Sequence, residues 1–463
     1  MSKRLIALAL AMTFGLALGA NLASAEDAKT PAAAAETETV AAGVETVQTP
    51  AAKPDAEGTL SFLNLRGRML ENSYSMLSIG EGIKALEELD YKRMEDDLRE
   101  KLNNNANAQW SALSGTSSPE LTALNTMLSG AIEADPTNLA LRASQAALAA
   151  STAAGSAVGN IGFQQLQMEY DAYRKVFDDV RSGKMQEDNE GAKHQLRNMQ
   201  DQAVILAESM YIALKGLEAQ DAALTRAIAS LGRTEQEMTL RQELGQISEL
   251  TLQQVKLAAV QAESGQKTLR MNMDNLLLQL KAMCAVGLDQ TLTLAALPTV
   301  SAEQIAAMAL ERDLASAQEA SYELYAAKKT YDDAEQTYKD AKKEYGENSK
   351  KNEWMQAKHE WQAAQYTYSN AKQSYELKFR TLYAQVKDAA QILDAKRAAL
   401  DSQELSYRAS ALKHQQGTIS ANELANAGDE LAKAKDELAA AERDLFAQYR
   451  SYQWAVEYGI LNS

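Results

Sequence analysis

The sequence predicts an elongated, all-α protein built from duplicated, long antiparallel coiled-coil hairpins. Three observations support this fold class. Glycine and proline are sparse, at 23 and 6 of 463 residues, and residues that favour helices dominate after the first 58 positions. Apolar residues recur every seven positions over long stretches, which is the spacing of a coiled-coil seam. Two distant segments also share one plan at a constant offset, which indicates an internal duplication.

The N-terminal residues 1–25 are typical of a secretory signal peptide. A short positive end precedes an apolar stretch, and Ala23-Ser24-Ala25 is a small-x-small cleavage site. A retained membrane anchor is the alternative, although the apolar stretch is short for a spanning helix. Residues 26–58 predict a disordered linker, because they hold too few large apolar side chains to offset their ordering entropy. We therefore expect an exported chain whose folded part begins near residue 59.

The folded part divides into two helical repeats, residues 59–287 and 288–463. Within the first repeat, the stretch between about 102 and 160 is irregular, and a weak point is expected at RSGKMQEDNEG. Residues 143–168 carry no charge, which favours close helix packing or a flexible tip over a membrane segment, because Ala, Ser and Gly contribute little transfer energy. The periodicity predicts helices over 60–102, 160–244, 248–286, 301–345, 353–416 and 420–458.

An aromatic ladder flanks one polar break in the second repeat. Tyr or Trp recurs every seven residues on both sides of the sequence GENSKKN, and alanines keep the same spacing. Large rings beside small alanines suit two helices that fold back on each other, so we expect an antiparallel hairpin rather than a ligand site. Gly346 is the predicted stop of the first helix, and Asn348 or Ser349 the predicted start of the next. The ladder consists of Tyr331, Tyr338, Tyr345, Trp354, Trp361, Tyr368 and Tyr375.

A four-residue motif, G-x-I-S, occurs once in each repeat. Gly245-Gln246-Ile247-Ser248 matches Gly417-Thr418-Ile419-Ser420 at an offset of 172. A glycine in the left-handed conformation ends a helix, and a serine three residues later caps the next one. Ser420 and Glu423 have the spacing of a capping box. Each repeat is therefore expected to contain a helix–turn–helix with this motif at its corner.

Composition argues against several functions. The net charge is −16, and no basic patch offers phosphates the cations that nucleic-acid binding needs. Cys284 is the single cysteine, so no intrachain disulfide can form, and the three histidines lie far apart in sequence, which argues against a metal site. No Ser, His and acidic residues cluster with nucleophile spacing, and no phosphate-binding glycine loop follows a strand. We expect neither an enzyme nor a bound cofactor.

The two motifs, the heptads that follow them and a glycine about forty residues later together resemble the TolC-type outer-membrane efflux family. The resemblance is closest over residues 195–287 and 370–459, including LAKAKDELAAAERDL. It implies a homotrimer whose helices form a hollow α-barrel in the cell envelope. It also implies that the turns at Gly245–Ser248 and Gly417–Ser420 dock a periplasmic adaptor, which works with an inner-membrane transporter.

The same resemblance points to candidate pore-entrance residues. The family often carries two acids, three residues apart, just after the second tip; here these positions are Glu423 and Asn426, and their first-repeat counterparts are Thr251 and Gln254. One acid is kept, and it has a competing role in the capping box, so both roles stay open at this point.

The aromatic ladder stands where this family has barrel strands, and no strand alternation is evident there. The sequence thus predicts a helical protomer of this kind without clear barrel strands, and membrane contact stays open. The first functional hypothesis is a trimeric export channel. The second is a non-conducting extracytoplasmic stalk or envelope scaffold made from the same helices.

Overall fold

A computed structural model describes residues 55, 56, 58–114, 163–347 and 350–461. They belong to one compact unit, Ala52–Ser463, and a second unit, Met1–Ala51, lies outside the described residues. The predicted signal peptide, residues 26–54 of the predicted linker and residues 115–162 are outside the described residues too.

The described residues are 86% helical, and the all-α class is confirmed. The elements up to the first motif's hairpin are β1 (Thr59–Leu60), α1 (Phe62–Asn72), α2 (Tyr74–Glu87), α3 (Tyr91–Ser114), α4 (163–181), α5 (Lys184–Glu243) and α6 (Glu249–Met283). The remaining elements are β2 (Thr293–Leu294), α7 (Ala302–Ala307), α8 (Leu310–Ala320), α9 (Tyr322–Tyr345), α10 (Asn352–Gln415) and α11 (Ala421–Tyr458).

Four long helices form one layer in the order α6, α5, α11, α10, since α5 packs on α6 and α11, and α11 packs on α10. Neighbours in this layer are antiparallel. Between α5 and α6, for example, Arg270 Nε donates to Asp221 Oδ1 at 2.9 Å, and one turn away Gln266 Nε2 donates to Thr225 Oγ1 at 2.7 Å. At 64 residues, α10 is about 96 Å long, taking ~1.5 Å per residue. α6 and α10 are the edges of the layer.

The aromatic ladder forms an antiparallel helical hairpin, as predicted. Tyr338 stacks on Trp361 with ring centroids 4.9 Å apart, and Tyr331 stacks on Tyr368 at 6.1 Å. α9 ends at Gly346, which has a φ of +64°. Asn348 and Ser349 lie outside the described residues, and α10 begins at Asn352. The ladder residues thus pack two helices together.

Two predicted helices are interrupted, which corrects the expectation of continuous helices over 60–102 and 301–345. Ser73 separates α1 from α2 and Ser321 separates α8 from α9, with extended ψ angles of 122° and 117°. Both serines are buried. A serine competes with the helical backbone for hydrogen bonds, and Ser321 Oγ accepts the Leu324 amide at 3.4 Å to cap the new helix. The weak point expected near RSGKMQEDNEG is a break at Gly183, with a φ of +83°.

The largest core cluster lies near the middle of α5 and includes residues of α11. Phe62 of α1 makes edge-to-face contacts with Tyr211 of α5 and Phe446 of α11, at 5.5 and 4.8 Å. The sequence did not predict the two-stranded parallel sheet beside it, in which β1 pairs with β2. Tyr211 Oη lies 2.9 Å from the Leu60 carbonyl and 2.8 Å from the Ala295 carbonyl, so it fixes this sheet to α5.

No helix in the described part of the chain combines the length and apolarity that a bilayer span requires. Likewise, no group of three or more His, Cys, Asp or Glu residues in that part is placed to hold a metal ion.

Candidate functional site: the helical tips

The first G-x-I-S turn joins α5 to α6 through a Schellman motif. Gly245 has a φ of +67°, and its amide donates to the Gln242 carbonyl at 2.9 Å. The Gln246 amide donates to the Arg241 carbonyl at 2.8 Å, which is the second hydrogen bond of the motif. Ser248 then caps α6, its Oγ accepting the Thr251 amide at 3.2 Å. The motif therefore ends one helix and starts the next within five residues, as the sequence predicts.

The second turn, between α10 and α11, repeats this geometry. Gly417 has a φ of +72° and its amide donates to His414 at 2.9 Å, while Thr418 N donates to Lys413 at 2.9 Å. Ser420 Oγ accepts the Glu423 amide at 3.2 Å, and the Glu423 carboxylate accepts the Ser420 amide at 2.7 Å. The capping box expected from the sequence is present in full.

Both turns lie at the same end of the four-helix layer. Asn422, in the first turn of α11, donates to Glu237, in the last two turns of α5, at 3.0 Å. Further along the same seam, α5 and α11 are joined by two ion pairs, Arg233 with Asp429 and Arg226 with Asp436. Apart from half-buried Ile247 and Ile419, every residue of the two motifs is exposed. We call this end of the layer the tip end.

The four candidate pore-entrance residues lie at the tip end, within the first two turns of α6 and α11. Glu423 is committed to the cap, and the Ser420 amide and hydroxyl hold the pKa of its carboxyl below its ordinary value. Thr251 Oγ1 lies 3.0 Å from Ser248 Oγ, so it also takes part in a cap. Asn426 and Gln254 are exposed. As a pore-entrance group, Glu423 stays a prediction, because its carboxylate already has a structural partner.

Exposed leucines surround the tip end, and the sequence reasoning missed them. They flank both turns and are 57–68% exposed. For the leucines of α6 and α10 the signal was a second seven-residue spacing, outside the packed seam of each hairpin, whereas the two leucines at the end of α5 are four residues apart. They are Leu240, Leu244, Leu250, Leu257, Leu405 and Leu412.

Comparison with known proteins gives structural neighbours only. Searches of protein-family profiles and of curated protein sequences find no match. Among solved structures, the outer membrane protein VceC of Vibrio cholerae matches with a TM-score of 0.45 and 12% identity, over 62% of this chain and 76% of VceC. CusC, described as forming a transmembrane channel, matches at 0.44 and 13%, over 77% of this chain and 96% of CusC. The CmeC outer membrane channel of Campylobacter jejuni matches at 0.36 and 15%, over 63% and 69%. All three neighbours are described as outer-membrane proteins or transmembrane channels.

Proposed function

We propose that this protein is an exported channel component of an efflux or secretion system, acting as a trimeric helical conduit in the cell envelope. The observation that carries the proposal is the position of the two G-x-I-S turns. They lie side by side at the exposed end of a four-helix layer whose two edge helices, α6 and α10, carry unpaired leucines. Its function is conduction through a water-filled interior, with no catalytic step.

The edges support assembly with further copies of the chain. On α6, exposed apolar residues lie seven positions apart at Leu250 and Leu257 and, after Ser264 interrupts the spacing, again at Met271 and Leu278. On α10, Leu405 and Leu412 have the same spacing and lie at a similar distance from their own turn. α6 and α10 run in opposite directions, so α10 of one copy next to α6 of another continues the antiparallel order of the layer. Burying these side chains contributes roughly 1.5–3 kcal/mol each.

At the tip end, we propose that the two turns dock a periplasmic adaptor, which couples the conduit to an inner-membrane transporter. The exposed leucines beside the first turn offer an apolar surface, and both turns are rigid because each is closed by backbone hydrogen bonds. Rigid turns lose little entropy on binding, which favours recognition at this end.

Cysteine crosslinking tests the assembly. The double variant Leu257→Cys/Leu405→Cys should crosslink under mild oxidation into a ladder that ends at three chains, since the single native thiol, Cys284, is buried. Each single variant should remain unlinked, and so should Leu63→Cys/Leu405→Cys, which combines an exposed leucine of α1 with the same α10 site. A ladder that ends at two chains, or particle images without a central hole, would favour the stalk over the channel.

Gly417→Val tests the tip. Valine is strained at a φ of +72°, although the space around Gly417 is open, so the fold should survive while the turn changes shape. We expect transport in a complemented deletion strain to be lost. The matched control is Gly265→Val, at a helical glycine with equally open surroundings. Unchanged transport in the Gly417 variant would refute docking through this turn.

A further inference from the structure

The α3–α4 pair ends in a surface almost free of charge. The chain is 24% charged overall. The described residues 103–111 of α3 and 163–168 of α4 include no charged residue. This pair precedes the N-terminus of α5, whereas the G-x-I-S turns follow the C-termini of α5 and α10. The neutral surface is therefore separate from the tip end.

Buried amide contacts hold the two helices of this pair together. Gln109 Nε2 lies 2.8 Å from Asn105 Oδ1 and 3.2 Å from the Leu166 carbonyl of α4. Asn105 is buried, at 6% exposure. The exposed residues of these turns thus lie on two helices that are in hydrogen-bonded contact.

The exposed residues combine one large flat ring with several side-chain amides. Trp110 is 74% exposed, and Asn103 and Asn107 lie on its face of α3, seven and three residues earlier. The turns of α4 around Leu166 expose Gln164 and Gln165. Among the described residues, the side-chain amides of Asn103 and Asn107 make no hydrogen bond. Each amide is therefore free to donate and to accept.

We propose that this surface binds a neutral glycan chain. A sugar ring has an apolar C–H face, which matches the exposed indole of Trp110, and a hydroxyl or acetamido edge, which matches free amides. The absence of charge in these turns suits a neutral ligand, in a chain whose net charge of −16 repels anionic ones. A bilayer is disfavoured because burying unpaired amides in hydrocarbon costs several kcal/mol each. Nucleic acid is disfavoured because the described turns at 103–111 and 163–168 carry no cation, and Arg99 and Lys101 are the nearest cations on α3.

Calorimetric titration of the purified full-length mature protein with two neutral hexasaccharides, one of N-acetylglucosamine and one of glucose, tests this proposal. We expect saturable binding to at least one of them, and Trp110→Ala should weaken it by about tenfold or more. Asn103→Ala/Asn107→Ala should weaken it as well. Preference for the N-acetylated sugar would show that the side-chain amides hydrogen-bond the acetamido group.

The matched control is Tyr74→Ala, which removes an aromatic side chain that is 85% exposed on α2 and lies outside the proposed surface. Its affinity for the sugar should equal that of the unmodified protein. The proposal is overturned if neither sugar binds, or if Trp110→Ala binds as tightly as the control. It is also overturned if Trp110-dependent binding is found only with phosphatidylcholine or phosphatidylglycerol vesicles. None of these results depends on the protein being a channel.

Discussion

The contact between α5 and α11 changes along its length. Near the tip end, α5 and α11 are joined by ion pairs such as Arg233–Asp429, whose side chains are 34% and 35% exposed. Near the middle of α5, Glu208 is 5% exposed and accepts two hydrogen bonds from Arg450, at 2.8 and 2.9 Å. Trp454 Nε1 donates to the same carboxylate at 2.7 Å. The contact thus has half-exposed ion pairs at one end and a buried ion pair at the other.

This difference bears on where α5 and α11 can separate. Exposed ion pairs contribute about 0–1 kcal/mol each and are screened by salt, whereas breaking a buried, fully bonded pair costs several kcal/mol. Aromatic contacts of Phe62 with Tyr211 and Phe446 add to the buried section. The structure is therefore expected to open first at the tip end, with the middle of α5 and α11 as the fixed region.

The largest expected effect comes from Gly459, which ends α11 in the buried region. A Cβ at this position would lie 2.3 Å from Ser321 Cα, and the φ of +66° disfavours any side chain. We expect Gly459→Ala to lower the free energy of unfolding by more than about 4 kcal/mol, because backbone cannot yield as a side chain does. Urea unfolding followed by circular dichroism measures it.

Gly417→Ala is the control at the tip end. Its φ is +72°, but nothing lies within 4 Å of the added Cβ. Gly417→Ala should lower the free energy of unfolding by about 1–2 kcal/mol, because only the left-handed conformation disfavours the alanine. Similar losses in the two variants would remove the distinction between buried and exposed regions.

The second comparison uses the two kinds of ion pair. Glu208→Gln removes the carboxylate that is hydrogen-bonded to Arg450 in a buried site, although Glu457 stays nearby, and should lower the free energy of unfolding by about 3 kcal/mol. Asp429→Asn breaks an exposed pair and should cost less than about 1 kcal/mol. The same unfolding measurement applies to both. Equal losses of unfolding free energy would mean that the buried and the exposed ion pairs between α5 and α11 contribute equally to stability.

The hairpins and turns could be predicted from sequence because their causes are local. Gly245, Gly417 and the Ser420–Glu423 box fix corners through their own backbone geometry, and heptads fix which faces meet. The residues that join the repeats were not predictable in this way. Glu208 and Arg450 lie 242 positions apart, and each looks like a solvated helix residue until the two helices are placed together.

The helix breaks and the strands escaped prediction for a related reason. Ser73 and Ser321 sit in sequences with good helix formers on both sides, and their extended conformation depends on burial against other elements. β1 and β2 are two residues each, too short for any alternation to appear. Their pairing depends on Tyr211, which is distant from both in sequence.

A smaller effect distinguishes the two tips by pH. The pKa of Glu423 is lowered by its hydrogen bonds to Ser420, so the cap is intact above the ordinary carboxyl pKa and is lost as pH falls through the lowered value. Thr251 stands at the equivalent position of α6 and does not titrate. Amide exchange, corrected for the intrinsic pH dependence, should therefore accelerate at 421–424 but not at 249–252 as pH falls from 6 to 3.

Glu423→Gln is the control for the pH effect, since glutamine also completes a capping box but carries no titrating carboxyl, as Gln304 does beside Ser301. The difference in amide exchange rate between 421–424 and 249–252 should then become independent of pH. If the exchange difference between the tips still changes with pH in this variant, a group other than Glu423 controls the opening of the first turn of α11.

The smallest expected effect compares the two helix ends in the buried region. The sequence pairs Gly287 with Gly459, but the left-handed residue after α6 is Ala285, with a φ of +52°. Ala285 is exposed, so Ala285→Gly loses no packing. Glycine removes the strain of the left-handed conformation, and this gain should exceed the entropy that glycine adds to the unfolded chain. A net stabilisation of about 0.5–1 kcal/mol is expected. Ala282→Gly, at an exposed site in the last turn of α6, should instead destabilise by about 0.5–1 kcal/mol, so opposite signs in thermal unfolding are the decisive result.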